Sequence, residues 1–114
     1  MFNTRVEVIY DKTPKLSAEM RALIAEIVEA AALQCEALAK FLAPVDTGFL
    51  RSSIQAGPES ALIWIVKIGA EYAIFIEFGT VNMSARPFIV PAVEHVRPRF
   101  IGQMQNVVSE AARK

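Results

Sequence analysis

A chain of 114 residues has the length of one domain, large enough for one hydrophobic core and too short for two. The 12 Lys and Arg residues balance the 12 Asp and Glu residues, so composition gives no basic surface of the kind that tight nucleic-acid binding requires. Hydrophobic residues make up 54% of the chain and the mean hydropathy is +0.34, which is high for a small domain and predicts apolar surface that a partner covers.

The sequence carries no sign of a membrane or secreted protein. No apolar run approaches the roughly 20 residues that cross a bilayer, and the opening residues do not have the pattern of a signal peptide. The single cysteine, Cys35, cannot form an internal disulfide. We therefore expect a soluble protein of a reducing compartment that makes no membrane contact.

Residues 1–12 predict a short strand or an arm. Within them, Arg5–Tyr10 reads RVEVIY, an alternation typical of a β-strand, and Asp11 and Lys12 stop it. We expect this strand at the edge of a sheet.

Residues 13–43 predict a long amphipathic helix. Thr13 and Pro14 suit its start, with Ser17 as the competing cap, and Pro44 requires it to end at or just before the preceding residue. One face is apolar and is expected to be buried, with Leu23 and Val28 widening it: Met20, Ile24, Ile27, Ala31, Cys35, Leu38 and Leu42. On the opposite face, Glu36 and Lys40 are spaced to pair along the surface.

Residues 48–69 predict a β-hairpin. The first strand is the alternating run 50–56, and the connection is 57–60, Gly-Pro-Glu-Ser. The second strand, 61–68, is so rich in Ile, Val and Trp that both its faces are expected to be covered.

The segment Glu71–Pro91, which we call the corner, is expected to fix the geometry of the functional surface. It predicts a short apolar helix or strand over 71–79 that ends at Gly79, and a loop over 80–87. Its Glu77 and Arg86 are each the one charge in an apolar setting, so we expect them to pair with each other or with a neighbour such as Arg51. The alternative is that both point into water.

Residues 88–112 predict a C-terminal helix, with Pro98 inside the apolar pattern. Proline removes an interior hydrogen bond. Either the helix kinks near Glu94, which we prefer, or a turn precedes a helix that begins at Pro98.

The chemistry of the chain predicts no enzyme. Asp46, Thr47 and Gly48 match the triplet of aspartic proteases, but a long helix precedes them, and they read better as a turn. The lone His95 and the distant Cys35 provide neither a zinc site nor a nucleophile pair. We expect no metal and no cofactor.

Three segments together resemble a family of tailed-phage morphogenesis proteins, the gene-product-ten-like group, whose members are assigned as head-tail joining or tail-completion proteins. The segments are Ala43–Ile54 (APVDTGFLRSSI), Glu71–Thr80 (EYAIFIEFGT) and Ala85–Ala92 (ARPFIVPA). Their order and spacing extend over residues 16–112. The resemblance implies an α+β fold: a long N-terminal helix packed on a small antiparallel β-sheet, a short helix and a C-terminal helix.

The resemblance also implies a structural role in the virion, at the head-tail junction or neck, with assembly in the host bacterial cytoplasm. The chain would form a homo-oligomeric ring, a hexamer rather than a dodecamer, between neck and tail proteins, and DNA would pass through its lumen without specific binding. Each subunit would present a sheet edge, loop 80–85 or an arm to its neighbour, and loop 80–85 is the candidate contact to a neighbouring subunit or neck protein. The structural and interface candidates are Asp46, Gly48, Arg51, Glu77, Phe78, Gly79, Val81, Met83, Arg86, Pro87 and Phe88. The alternatives are an aspartic-protease-like hydrolase that uses Asp46 and a small dimeric regulatory module.

Overall fold

The computed structural model describes residues 2–7, 17–44 and 48–113 of the chain. The fold is α+β, as predicted: a long N-terminal helix packs on a small antiparallel sheet, and a short helix and a C-terminal helix follow. The elements in chain order are β1 (Phe2–Glu7), α1 (Ala18–Leu42), α2 (Phe49–Ser52), β2 (Ile54–Ser60), β3 (Ile63–Ile68), α3 (Ala73–Phe78) and α4 (Ile89–Arg113). The molecule is elongated, 56 × 21 × 21 Å, because α1 and α4 pack against each other and each has 25 residues.

Among the described residues the sheet has three strands in the order β1-β3-β2, and both pairings are antiparallel. The predicted N-terminal edge strand is present as Phe2–Glu7, and the rest of the RVEVIY run lies outside the described residues. β3 is the central strand. Its Val66 and Ile68 are fully buried and belong to the main core, whereas Lys67 between them is exposed. The prediction that both faces of this strand are covered was therefore wrong for the described part of the chain.

The first strand of the predicted hairpin is in part a helix. Residues Phe49–Ser52 form the single turn α2, and β2 begins only at Ile54. The hydroxyl groups of Ser52 and Ser53 donate to the carbonyls of Phe49 and Leu50, which favours a helical turn. This turn buries Leu50, which a strand would also have buried, so the alternation alone could not distinguish the two.

The connection of the hairpin also lies further along the chain than predicted. Residues 57–60 belong to β2, and the turn is formed by residues 61 and 62. The register shifts between Pro58 and Ser60, so β2 continues through a bulge-like irregularity instead of ending there. Pro58 is tolerated because β2 is an edge strand, where a missing backbone donor costs little.

Helix α1 begins at Ala18, and Ser17 is its cap. The Ser17 hydroxyl accepts from the Met20 amide at 3.1 Å, and the backbone of Ser17 is extended, with ψ 162°. The competing cap of the prediction is therefore the one that starts the described helix, and Thr13 and Pro14 lie outside the described residues. At the other end it stops at Leu42, directly before Ala43, as the proline at position 44 requires.

The buried stripe of α1 is rotated from the predicted face. Ile24, Ala31 and Cys35 are buried as expected, but Leu42 is 41% exposed and Met20 is only partly buried. Val28 is fully buried, as expected, whereas Leu23 is 48% exposed. The stripe also contains Ala32 and Ala39, which were not predicted and are fully buried. Small side chains dominate because α4 packs along the same helix and alanine permits a close approach of backbones.

Helix α4 is continuous from Ile89 to Arg113 and contains Pro98. The alternative of a helix that begins at Pro98 was wrong, since two turns precede it. Pro98 has no amide hydrogen, so the carbonyl four residues earlier lacks its helical donor. Pro98 is exposed, and water therefore has access to this side of the helix. Along the apolar pattern of α4, Met104 is buried but Ile101 is 45% exposed.

Candidate functional site

The corner is organised by one buried carboxylate, that of Glu77, which lies in the last turn of α3 and is 3% exposed. Its Oε1 accepts hydrogen bonds from the amides of Phe88 and Ile89, each at 3.0 Å, and its Oε2 accepts from Val90 at 3.3 Å. These amides belong to the start of α4, where backbone donors lack helical partners and the helix dipole favours negative charge. Glu77 therefore caps α4 from a different helix.

The alternative that Glu77 points into water was wrong, because the side chain is buried and accepts three hydrogen bonds. Pairing of Glu77 with Arg86 stays a prediction. The Arg86 side chain is at the surface, and its backbone amide donates to the Ile76 carbonyl at 2.8 Å. That bond fixes the chain next to α3 just before it enters α4.

Gly79 makes the close return of the chain possible. It ends α3 with φ 78°, and its amide donates to the Phe75 carbonyl at 2.7 Å. A Cβ atom there would lie 2.8 Å from the Ala85 nitrogen and 2.9 Å from the Met83 oxygen. Glycine is thus required twice at this position, for its positive φ and for the approach of backbone.

The predicted loop begins with a tight turn over residues 80–83. The amide of Thr80 donates to the Met83 carbonyl at 2.8 Å, and the Met83 amide donates to the Thr80 carbonyl at 3.3 Å. The Thr80 hydroxyl also accepts from the Asn82 amide at 3.3 Å. Val81 at the tip is completely exposed. The turn therefore presents one apolar side chain on a well-bonded backbone.

A second side chain secures the end of α1. The Arg51 Nε donates to the Lys40 carbonyl at 2.9 Å, which satisfies one of the last carbonyls of the helix. Gly48 precedes the helical turn α2 and has a φ of 74°, a backbone conformation that favours glycine. Asp46, the aspartate of the predicted turn, lies outside the described residues.

Aromatic rings are exposed around the corner. Phe49 and Tyr72 contact each other with ring centroids 6.2 Å apart and an interplanar angle of 37°, and Phe75 and Phe78 are both more than half exposed. Next to them is a groove of about 320 Å³, lined by Pro44, Leu50, Tyr72, Phe75, Ile76, Met83 and Arg86. Phe88, in contrast, is fully buried and anchors the start of α4, and Pro87 is exposed. The corner thus combines a rigid backbone with an apolar surface that favours a protein partner.

The described residues contain no group of side chains that could hold a metal ion. Burial raises the pKa of the Cys35 thiol to about 11, and the side chain is 1% exposed, so this cysteine is unsuited to act as a nucleophile. His95 is an exposed residue of α4. No helix in the described part of the chain is long and apolar enough to cross a membrane.

A family model described as "Bacteriophage HK97-gp10, putative tail-component" matches residues 7–79. This range includes α1, the sheet strands β2 and β3, and α3 up to its terminal glycine. The chain belongs to the HK97-gp10-like family. The match contains the first two segments of the resemblance up to Gly79 and stops before the third, Ala85–Ala92. No curated protein and no solved structure matches this HK97-gp10-like chain.

The family supports a phage tail-related structural protein, and the helix-rich fold does not support the aspartic-protease alternative, which requires an all-β chain. Sequence reasoning located the corner of this HK97-gp10-like protein but missed what Glu77 binds. A signal for this contact is present in the sequence. Glu77 lies two residues before the glycine that ends α3, and α4 begins ten residues after that glycine without a cap residue of its own.

Proposed function

We propose that the protein is a structural component of the phage head-tail connector, where it completes the tail or joins it to the head. In this role it forms a homo-oligomeric ring, with six copies rather than twelve, and DNA passes through the lumen without specific binding. Family membership supports the tail-related role. The zero net charge of the chain agrees with a lumen that does not hold DNA tightly.

The observation that carries the ring proposal is the rigid apolar corner. Val81 projects from a turn that three backbone amides close, and the groove beside it is lined by Tyr72, Phe75 and other apolar residues. A projecting apolar group and a separate apolar groove on one subunit can form a heterologous contact, which closes into a ring when the rotation between subunits permits. Glu77 holds α3 and α4 in fixed relation, so all copies present the same geometry.

The test is complementation of a phage or prophage from which the gene has been deleted. Wild-type protein should restore infectious particles, and Val81→Asp should not, because a carboxylate would be buried without a partner at the subunit contact. Ala30→Asp, on the exposed face of α1, is the matched control and should complement. Negative-stain images of the deletion mutant should contain separate filled heads and tails. Joined particles in that mutant would contradict the role in the connector.

A ring that forms without Val81 would leave the connector role standing and reject the proposed contact. The two parts of the proposal are separable in this way: the deletion tests the role, and Val81→Asp with its control tests the surface. Native mass measurement of purified connectors then gives the copy number.

A further inference from the structure

The two edges of the sheet differ in their ability to accept another strand. At the β2 edge, the Glu36 carboxylate on α1 accepts the amide of Ala56. Two residues further along the same strand is Pro58, which has no amide hydrogen. Helix α1 and proline thus remove two successive donors from this edge, a common protection of edge strands.

The hydrogen-bond pattern shows which backbone groups face outward. The Gly69 amide donates to the Ser53 carbonyl, whereas Ala56 donates to Glu36 and not to β3. Since bonded and non-bonded pairs alternate in an antiparallel ladder, Gln55 and Gly57 face β3, and Ala56 and Pro58 face outward.

The same alternation continues across β3 to β1. If Ile65 and Lys67 direct their backbone groups to β2, then Trp64, Val66 and Ile68 direct theirs to β1. Their partners on β1 are Val6, Thr4 and Phe2. The amides and carbonyls of Asn3, Arg5 and Glu7 therefore face away from the sheet, and β1 has no second partner strand among the described residues.

We propose that two copies of the free protein pair through their β1 edges, antiparallel and about a two-fold axis. Outward-facing residues must lie opposite one another in a bonded pair. When the two-fold axis passes through the Val6 position, Arg5 of each copy lies opposite Glu7 of the other copy. This register therefore gives two bonded pairs. Each such pair combines opposite charges, whereas a register centred on Arg5 would oppose like charges.

Assembly through β1 stops at two copies. The joint sheet has six strands, and each of its outer edges is a β2 strand blocked by Glu36 and Pro58. A head-to-tail ring made by adding β1 to β2 of the next copy is excluded for the same reason. This pairing does not rest on the connector role, and it uses an element different from the corner.

The test is the mass of the full-length protein by sedimentation velocity over a range of concentrations, with charge and proline variants of Arg5. Arg5→Pro removes an outward donor and leaves the β1·β3 ladder intact, and it should raise the dimer dissociation constant at least about tenfold. Arg5→Glu and Glu7→Arg should each weaken the pair, and the double variant should restore it. Arg97→Glu, on the exposed side of α4, is the control that should change nothing.

Amide hydrogen exchange provides an independent readout. The amides of Thr4 and Val6 should be protected at all concentrations, and those of Asn3, Arg5 and Glu7 only where the dimer forms. A protein that is monomeric at all concentrations overturns the proposal. The proposal is also overturned if Arg5→Pro leaves the mass of the assembly unchanged, whether it is a dimer or a ring, and if hydrogen exchange shows no alternation of protected and unprotected amides along β1.

Discussion

The Glu77 Oε1 lies 3.0 Å from the amide nitrogen of Ile89, the first residue of α4. A carboxylate from the end of one helix thus replaces the local cap that the start of the next helix lacks. Because the side chain is almost completely buried, it also joins the two halves of the corner through the interior of the protein. The angle at which the Val81 turn leaves the domain depends on this contact.

Glu77→Ala should lower the free energy of unfolding by about 2–4 kcal/mol, because three amides at the start of α4 lose a charged acceptor in a buried site. Glu77→Gln retains one acceptor oxygen and should cost about half as much. Urea unfolding of both variants measures the effect. Glu26→Ala, at an exposed position of α1, should stay within about 0.5 kcal/mol of the parent. Equal stability of Glu77→Ala and the parent would reject the capping role.

Two glycines give a matched pair with opposite expected signs. Gly79→Ala should destabilise by about 2–3 kcal/mol, because the new Cβ meets the backbone of Met83 and Ala85 at a position with positive φ. Gly102→Ala places the same methyl group in open space inside α4, and it should stabilise by about 0.5–1 kcal/mol. Thermal unfolding monitored by circular dichroism separates the two. A stability loss in both variants would contradict the steric argument.

The sequence predicted the order of elements well where one local signal dominated. Pro44 located the end of α1, and Gly79 located the end of α3, because each residue limits its own backbone. It failed where partners distant in the chain decide. Ala39 is buried because it packs in the main core with residues of the sheet and of α4. In α2 a local effect decides instead, since two serine hydroxyls bond to nearby carbonyls and favour a helical turn over a strand. Glu36 was expected to pair with Lys40, but it binds the edge of a strand 20 residues away.

Arg51→Ala should lower stability by about 1 kcal/mol, because the Lys40 carbonyl loses the donor that closes the end of α1. Arg51→Lys keeps the charge but not the planar guanidinium that supplies the Nε donor. If the hydrogen bond matters, the lysine variant should resemble alanine in chemical unfolding. A lysine variant as stable as the parent would show that charge alone suffices.

The buried thiol of Cys35 should make stability depend on pH in the alkaline range. Its pKa is raised from 9.0 to about 11 by burial, so the folded state holds the proton more tightly than the unfolded state. The stabilisation is fully present below pH 9 and is lost as the pH rises towards about 11. Over this range the parent should lose stability and Cys35→Ala should not, so the difference in free energy of unfolding between them should change with pH only above about 9. Slow reaction with a thiol reagent at pH 8, faster only in urea, should accompany this behaviour.

Glu36→Ala tests the blocked edge of the sheet. Without the carboxylate, the Ala56 amide loses its acceptor, which should cost about 1–2 kcal/mol in urea unfolding. The same amide then becomes available to another chain, and Pro58 alone must limit strand addition at β2. We therefore expect Glu36→Ala to form larger particles than the parent as its concentration increases, measured by light scattering. Glu29→Ala, exposed on the same helix, is the matched control and should scatter like the parent. A stable Glu36→Ala variant with unchanged particle size would show that α1 does not guard this edge.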